Sequence, residues 1–463
     1  MNVTNKTRLK FSQKQMVIIL CISSTNRTGY FRKTKMKGCA MSENTKNESI
    51  QKEKKQIPQT STSAGPVNTN NQDIKVSIII SSQNKYPLNI FTLYSLEYQT
   101  FNPSKMEVIF INDASTDQTD EKLKGYSPPY HFKYIHKKQK LGRAKARNLG
   151  IRSARGSLLI FLDAEMITDS DFVENHYKYH QSKKNVIMSG VMHSKALYSC
   201  VFPNFSEHKK DTIANLTKNN QDIYTRLQDC KDPLVEPYPL LEKNDIARKT
   251  YKDLVFHSFP WFRQIVRNFR ADLKGFAFPW MAFLTGNVSI RKELIVKAGG
   301  FDEEFFHYGY EDWELGYRLY KMGVQCIVSK KLITYHQEHP VEERKWREAI
   351  GNFGLFTIKH HDVDVLILGL ELSGITDLLT INKLLREYKL LRKSRTKQIQ
   401  KFQEKFILIL ETIILMLQVD IQHFNILGAA GFSSKDRKEL FIDIKNLSDY
   451  PHITSFLNQV INS

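Results

Sequence analysis

Leu141–Glu165 reads LGRAKARNLGIRSARGSLLIFLDAE, and this one stretch holds a helix, its stop, a strand and two carboxylates. Leu141, Ala144, Asn148, Ile151 and Ala154 recur at spacings of three and four, the period of one helix face, and Gly156 ends the segment. Leu158–Leu162 (LLIFL) is then apolar at every position, as a strand covered on both faces is. Asp163 and Glu165 follow at once, at alternate positions. They fall where the carboxyl end of a strand meets a loop, which is where doubly wound sheets bind ligands.

The same pattern repeats upstream. Val76–Ile80 (VSIII), Val108–Ile111 (VIFI) and Phe132–Ile135 are further runs of strand length, with helix-length segments between them. Ser115 and Gln118 stand in capping-box spacing before the second of these helices. Strand and helix alternating up to a fourth strand predict an α/β fold built on a Rossmann-like, mainly parallel sheet. Asp113 closes the second strand run as Asp163 closes the fourth. A single Asp after a strand is an ordinary turn or cap residue. Two acidic strand ends instead suggest hard oxygen ligands for a divalent cation, which would in turn hold phosphates.

The chain has 463 residues, 41% of them hydrophobic, which is enough for two or three domains of globular composition. Residues 1–74 read as a disordered basic and polar N-terminal segment and linker. Lys6, Arg8, Lys10, Lys14, Arg27, Arg32, Lys33, Lys35 and Lys37 fall within residues 1–40 without one acid. Residues 41–75 are rich in Asn, Gln, Ser, Thr and Lys and bury too little apolar surface to order themselves. The apolar run Met16–Ile22 is too short to span a membrane and lacks a small-residue cleavage site, and Met41 is an alternative start of translation.

The 5 cysteines show no CxxC pair, so a reducing, cytoplasmic setting fits better than a disulfide framework or a zinc site. A net charge of +20 raises the question of nucleic acid. The basic runs, 1–40 and Lys383–Lys405, lack the interleaved aromatics and glycine loops of such modules, so no nucleic-acid partner is expected. The same segments suit either water or peripheral contact with the anionic inner face of a membrane. Residues 341–463 read as a helical C-terminal domain. Its segment Phe406–Leu417 (FILILETIILML) is apolar nearly all round, as a buried helix is, and these helices offer a route to homo-oligomers.

VSIIISSQN at Val76–Asn84, FINDASTD at Phe110–Asp117, LGRAKARNLGIRSARG at Leu141–Gly156 and FLDAE at Phe161–Glu165 together resemble the family 2 nucleotide-sugar glycosyltransferases. LTGNVSIRKELIVKAGGFDEEFFHYGYEDWELGYRLYKMG at Leu284–Gly323 resembles the catalytic half of galactosyltransferase-like and chondroitin-polymerase-like members. The resemblance covers residues 75–340 and implies a GT-A type glycosyltransferase fold. Its nucleotide-binding half would be 75–193, an acceptor-facing insertion 194–275 and the catalytic half 276–340.

The resemblance also implies roles. Asp113, with Ser81 and Asn84, would face the uracil of a UDP-sugar. Asp163 would touch the ribose and, with Glu165, form the acidic pair that holds manganese or magnesium on the diphosphate; His336 would complete that shell, with His339 its near competitor. The second acidic position is Glu165 where the family has Asp. Arg143 and Arg147, one turn apart, would lie near the phosphates, the plain alternative being a solvated basic face. Gly286 and Asn287 would sit against the donor sugar, Gly299–Asp302 match the GGFD loop, Glu311 would contact the acceptor and Trp313 a sugar face. Asp312 would be the general base, because an acceptor hydroxyl is too weak an acid to attack an anomeric carbon unaided. The implied activity is inverting, metal-dependent transfer from a UDP-sugar to a hydroxyl of a glycan, protein or carrier. The rival is a catalytically silent nucleotide- or sugar-binding scaffold, for which the DAE motif is the best support. A nucleotidyltransferase would need a glycine-rich loop after the first strand, and Ser81–Tyr86 has no glycine.

Overall fold

The computed structural model of the chain describes residues 73–463, apart from 231–233, 259, 395 and 422. The N-terminal segment 1–72, with the Met16–Ile22 run and Met41, lies outside the described residues.

The four apolar runs form β1 (Val76–Ser82), β2 (Met106–Asp113), β3 (His131–Lys137) and β4 (Leu158–Leu162). Every residue of β2 and β4 is buried, which is why neither shows the alternation of a half-exposed strand. These strands run parallel in the order β4-β1-β2-β3. Helices α1 (Leu88–Glu97) and α2 (Arg143–Ser153) occupy two of the connections. The short helix between β2 and β3, Thr119–Leu123, opens after Gln118. Its Thr119 N–H is taken by Asp117 at 3.1 Å, whereas the Ser115 hydroxyl accepts the Asn84 N–H at 3.0 Å, so the expected capping box from Ser115 does not form.

The sheet is extended by strands from later in the chain: β6 (Val186–Ser189), β11 (Asn287–Arg291) and β12 (Gln325–Val328), in the overall order β12-β6-β11-β4-β1-β2-β3. β11 is antiparallel to both neighbours, with Ser289 opposite Ile160 and Met188. A second sheet has the order β10-β7-β13-β5, from Val255–Ser258, Lys195–Leu197, Thr334–Gln337 and Met166–Thr168. Its register sets His336 of β13 opposite Met166 of β5, beside the DAE turn. Two-residue strands β8 (Cys200–Val201) and β9 (Tyr238–Pro239) pair in the insertion.

The helix expected over Asp253–Phe269 is shorter. The chain makes a 3-10 turn (Thr250–Leu254), then β10, and only Pro260–Phe269 is helical. Proline breaks a helix from inside but favours its first position, so Pro260 starts the helix instead of continuing one.

Beyond the Glu311–Lys321 helix (α3) the chain is mainly helical: α4 (Arg344–Lys359), α5 (Leu378–Leu391), α6 (Lys397–Gln418), α7 (Ser434–Asn446) and α8 (Pro451–Ile461). Phe406, Ile409, Leu410 and Ile413 of α6 are buried, while Leu408 and Leu415 on its outer face are exposed. One apolar cluster contains Phe161 of β4, Trp280, Phe353 of α4, Phe406 and Leu457, so the C-terminal helices extend the core of the sheet. Among the described residues no helix is long and apolar enough to cross a membrane.

Candidate active site

Three carboxylates meet around one guanidinium. Arg147, from the buried face of α2, donates through Nη1 to Glu311 Oε1 at 2.9 Å and Asp312 Oδ1 at 3.1 Å, and through Nη2 to Asp163 Oδ1 at 3.4 Å. It is only 2% exposed, so it is not part of a solvated basic face. Burial opposes its charge, yet Asp312, Glu311 and Asp163 hold its pKa above the ordinary arginine value. A guanidinium keeps its proton where a lysine could lose it, and its planar fork reaches more than one acid at once.

Asp312 is fixed from the other side by Thr285, which donates to Oδ2 from its N–H at 3.0 Å and its hydroxyl at 2.9 Å. Burial pushes the Asp312 carboxyl up to about 6; Arg147 and the Thr285 N–H pull against it, while Glu311 and Asp163 add to the rise. That value suits a base working near neutral pH. A carboxylate offers about four lone-pair positions, and these hydrogen bonds use three. Oδ2 of Asp163 and Oε2 of Glu311 are buried without a hydrogen-bond partner.

Trp313, expected at a sugar face, is buried instead. Its ring packs edge-on against Trp280 at 6.0 Å and Tyr310 at 5.4 Å, inside the core beneath α3.

A second cluster lies at the DAE turn. Donor atoms of Glu165, His336 and His339 all lie within 4.8 Å of one another. His336 Nδ1 is 3.0 Å from Glu338 Oε1, and His339 Nδ1 is 2.8 Å from the Pro340 carbonyl. Both partners act as acceptors, so each Nδ1 carries a proton, the arrangement by which an outer acceptor orients a metal-ligating histidine. Burial, aided by Lys85, pushes His339 down to about 4, which keeps it neutral. Burial works to raise Glu165, but the Lys85 ammonium beside it holds the carboxyl well below the usual carboxylate range. One carboxylate with two imidazoles is a mixed oxygen and nitrogen donor set that first-row divalent cations accept. The cation set expected from the sequence was Asp163, Glu165 and His336; the structure groups the last two with His339, and the Oδ1 of Asp163 is turned to Arg147 and Thr285.

The remaining candidates divide. Asp113 accepts the Leu141 N–H at 2.6 Å and the Gly142 N–H at 3.0 Å, so its carboxylate holds the turn into α2. Asn84, at φ 50°, accepts the Thr116 N–H at 2.7 Å and ties the β1 loop to the β2 loop. Ser81 is half-buried near the end of β1. Gly286 lies against the acids, since a Cβ there would fall 3.4 Å from Asp163 Oδ2 and 3.0 Å from Met166 Cε. Asn287 is fully buried, donating to the Leu332 carbonyl at 2.6 Å and Thr334 Oγ1 at 3.1 Å, with its Oδ1 3.1 Å from His176 Nε2. Its amide braces β11 against β13.

Several residues escaped the sequence reading. Lys85 contacts the cation cluster, Thr285 positions Asp312, and Glu338 orients His336. Asn148 clamps the GGFD loop, accepting the Phe301 N–H and donating to the Phe301 carbonyl, each at 2.9 Å. Arg143 and Lys345 both lie over the Tyr308 ring, at 4.6 Å and 5.4 Å. Burial, then Lys85 and Arg143, push Lys345 down to about 8. Lys85 stands beside Asn84 in an already quoted block and could have been marked; Lys345, in a plain helical run, carried no signal.

A buried carboxylate with a raised pKa, and a cluster of one carboxylate and two imidazoles, lie at the strand ends of an α/β sheet, which is where such sheets bind ligands. Residues 77–230 match the family model described as Glycosyl transferase family 2, and residues 267–340 match that described as N-terminal domain of galactosyltransferase. The uncharacterized glycosyltransferase YfnE of Bacillus subtilis (strain 168) is 30% identical over 305 residues, covering 65% of this chain and 74% of that protein. The validoxylamine A glucosyltransferase of Streptomyces hygroscopicus subsp. limoneus is 29% identical over 62% of this chain and 56% of its own length. The chondroitin synthase of Escherichia coli is 27% identical over 60% of this chain, which spans only 36% of that protein. The chain belongs to the family 2 glycosyltransferases, with a mainly parallel α/β sheet and a C-terminal helical region.

Proposed function

We propose that the chain is an inverting, metal-dependent glycosyltransferase that moves a hexosyl or N-acetylhexosaminyl group from a UDP-sugar to a hydroxyl of a glycan, protein or carrier. The observation that carries this reading is Asp312, buried, held by Arg147 and Thr285, and poised near pH 6. Its carboxylate takes the proton of the acceptor hydroxyl as that oxygen bonds to the anomeric carbon. The bond from that carbon to the diphosphate breaks on the opposite face, so the configuration inverts. Glu311 Oε2, buried and unpartnered, offers an acceptor to a second hydroxyl of the incoming sugar. Arg147 sets one positive charge among the three acids and so offsets part of their mutual repulsion, which a dry site would otherwise magnify. Asp113 and Asn84 shape the two loops that would receive uracil. A divalent cation held by Glu165, His336 and His339 would supply positive charge to the departing diphosphate. Arg143 and Lys345 stand near to share that charge. Relatives named as a glucosyltransferase and a chondroitin synthase support sugar transfer as the chemistry.

The test is a screen of nucleotide sugars for UDP release with manganese or with chelator, with and without candidate acceptors, followed by NMR assignment of the product anomer. Metal-dependent release with an inverted product supports the reading. UDP binding without release from any donor would move the chain to the scaffold alternative.

A further inference from the structure

Lys85 follows Asn84 in the turn after β1, and its ammonium does not point to solvent. Nζ lies 2.7 Å from Glu165 Oε1 and 2.8 Å from His339 Nε2, and those two donor atoms are 3.4 Å apart. Neighbouring ligands of a six-coordinate divalent cation with bonds of 2.0–2.1 Å stand ~3 Å apart, so the pair is already spaced almost as it would be around such an ion. The tautomer of His339, fixed by the Pro340 carbonyl, directs the Nε2 lone pair at the ammonium. Lys85 therefore satisfies, with one positive charge, two of the donors that would hold the metal.

The surroundings decide when it can leave. Lys345 and Arg143 are cations that feel Lys85 or its neighbours, and both lie half-buried over the Tyr308 ring. An ammonium released from Glu165 and His339 moves among like charges, which is unfavourable in a site of low dielectric. A polyanion removes that obstacle.

We propose that Lys85 is an internal cation that occupies the divalent-cation position in the metal-free protein, and that the diphosphate of a bound nucleotide draws it away, so that metal and nucleotide bind cooperatively. This rests on the reading of the site as one that takes a divalent cation and a nucleoside diphosphate. It adds an order of events: manganese alone competes with a tethered ammonium, and manganese with UDP does not.

The experiment measures Mn2+ binding to the full chain, by EPR of the free ion and by calorimetry, with and without UDP. Lys85→Met and Lys85→Gln remove the charge, and Lys85→Arg keeps it. Expected are manganese affinities in the nucleotide-free Met and Gln variants ~10-fold tighter than in the parent, and a UDP effect on Mn2+ affinity of ~10-fold in the parent that shrinks in those variants, within the 5- to 150-fold usual for coupled sites. Lys85→Arg should bind Mn2+ no more tightly than the parent. Thermal unfolding on the same preparations reports the same competition without catalysis: the Met variant leaves Glu165 buried and unpaired, melts lower, and regains more on adding Mn2+ than the parent does. Equal Mn2+ affinity in the parent and the charge-removing variants overturns the role of Lys85 and leaves the transferase reading standing. UDP binding without Mn2+ binding in any variant overturns both the internal-cation proposal and the metal requirement. Failure of the parent to bind UDP overturns the transferase reading itself and the coupling with it.

Discussion

Thr285 donates to the same oxygen of Asp312 twice, from its backbone N–H at 3.0 Å and from its hydroxyl at 2.9 Å. With Arg147 on the other oxygen at 3.1 Å, the carboxylate is aimed before any substrate arrives. A positioned base is worth more than an acid that must first be oriented, because its geometry is already settled when the reaction begins.

Asp312→Asn keeps the shape and the Arg147 and Thr285 neighbours but cannot accept the hydroxyl proton. Glycosyl transfer should fall by ~100- to 10,000-fold, the range for losing general-base catalysis, while UDP affinity changes little. Because the amide NH2 must face either Arg147 or Thr285, both donors, the melting temperature falls as well, and the rate is compared per folded molecule. Transfer assays, UDP titration and thermal unfolding on one preparation check this. Unchanged transfer would remove Asp312 from the reaction.

Thr285→Val preserves volume and the backbone N–H and deletes one hydrogen bond to a buried carboxylate. Stability should drop by about 1–3 kcal/mol, the cost of withdrawing a donor from a charged group. The pKa of Asp312 should rise further, so the acid limb of the rate profile moves to higher pH. Denaturant unfolding and a pH profile of turnover read the two effects separately.

In the parent, turnover should climb as pH rises through about 6, where Asp312 loses its proton. The stability sign runs the other way. The folded carboxyl holds its proton more tightly than an unfolded aspartate with a pKa near ~3.9, so the cost of burying its charge builds between those two values and is complete above the higher one. Asp312→Asn should therefore flatten this part of the stability curve, which unfolding at several pH values between 4 and 7 would reveal.

Gly300 adopts φ +74°, and a Cβ there would come within 2.7 Å of Asn148 Oδ1, the atom that accepts the Phe301 N–H. Gly323 has φ +82° with nothing within 4 Å of such a Cβ. Both alanine variants meet the left-handed backbone cost of ~1–2 kcal/mol, but only Gly300→Ala also loosens the GGFD loop. Gly300→Ala should lose stability and transfer, and Gly323→Ala stability alone. Equal transfer in the two would show that the Asn148 clamp does not matter to the site.

A chain beginning at Asp73 should fold and bind UDP as the full chain does, because the described residues from 73 onward carry a continuous core of their own. Solubility, melting temperature and UDP affinity of the shortened chain are the measurements. An insoluble product would place part of that core before Asp73.

The main strands were legible because burial on both faces leaves an unbroken apolar run, and LLIFL or VIFI can hardly be anything else at that length. The second sheet was not. Lys195–Leu197 and Met166–Thr168 are three-residue strands, too short for any period to show, and the sheet forms through β13, which arrives much later in the chain. Among the site residues, Asp163, Glu165, Glu311 and Asp312 announce themselves as acids at strand ends or a helix start. Arg147 announced only its charge; its partners come from residues 163, 311 and 312, and no local pattern tells a buried guanidinium from a solvated one. Asn287 misled for a related reason. An amide is equally at home on a ligand or between strands, and here the Leu332 carbonyl and Thr334 claim it. Thr285, Lys85 and Glu338 act across distances in the chain that spacing cannot reach.

The place of β11 between β4 and β6 sets a schedule for biosynthesis. Val186–Ser189 finds hydrogen-bonded neighbours only in β11 and β12, and the outer edge of Leu158–Leu162 also waits for β11. At a ribosomal pace of ~5–20 residues per second, roughly ten seconds separate the emergence of those edges from that of Asn287–Arg291. During that interval β6 stands unpaired and β4 keeps one edge open, each a template for another chain. The first family match ends at residue 230, before β11 exists, so a polypeptide cut there carries the Asp113 and Asp163 strand ends on a sheet that lacks β11 and β12.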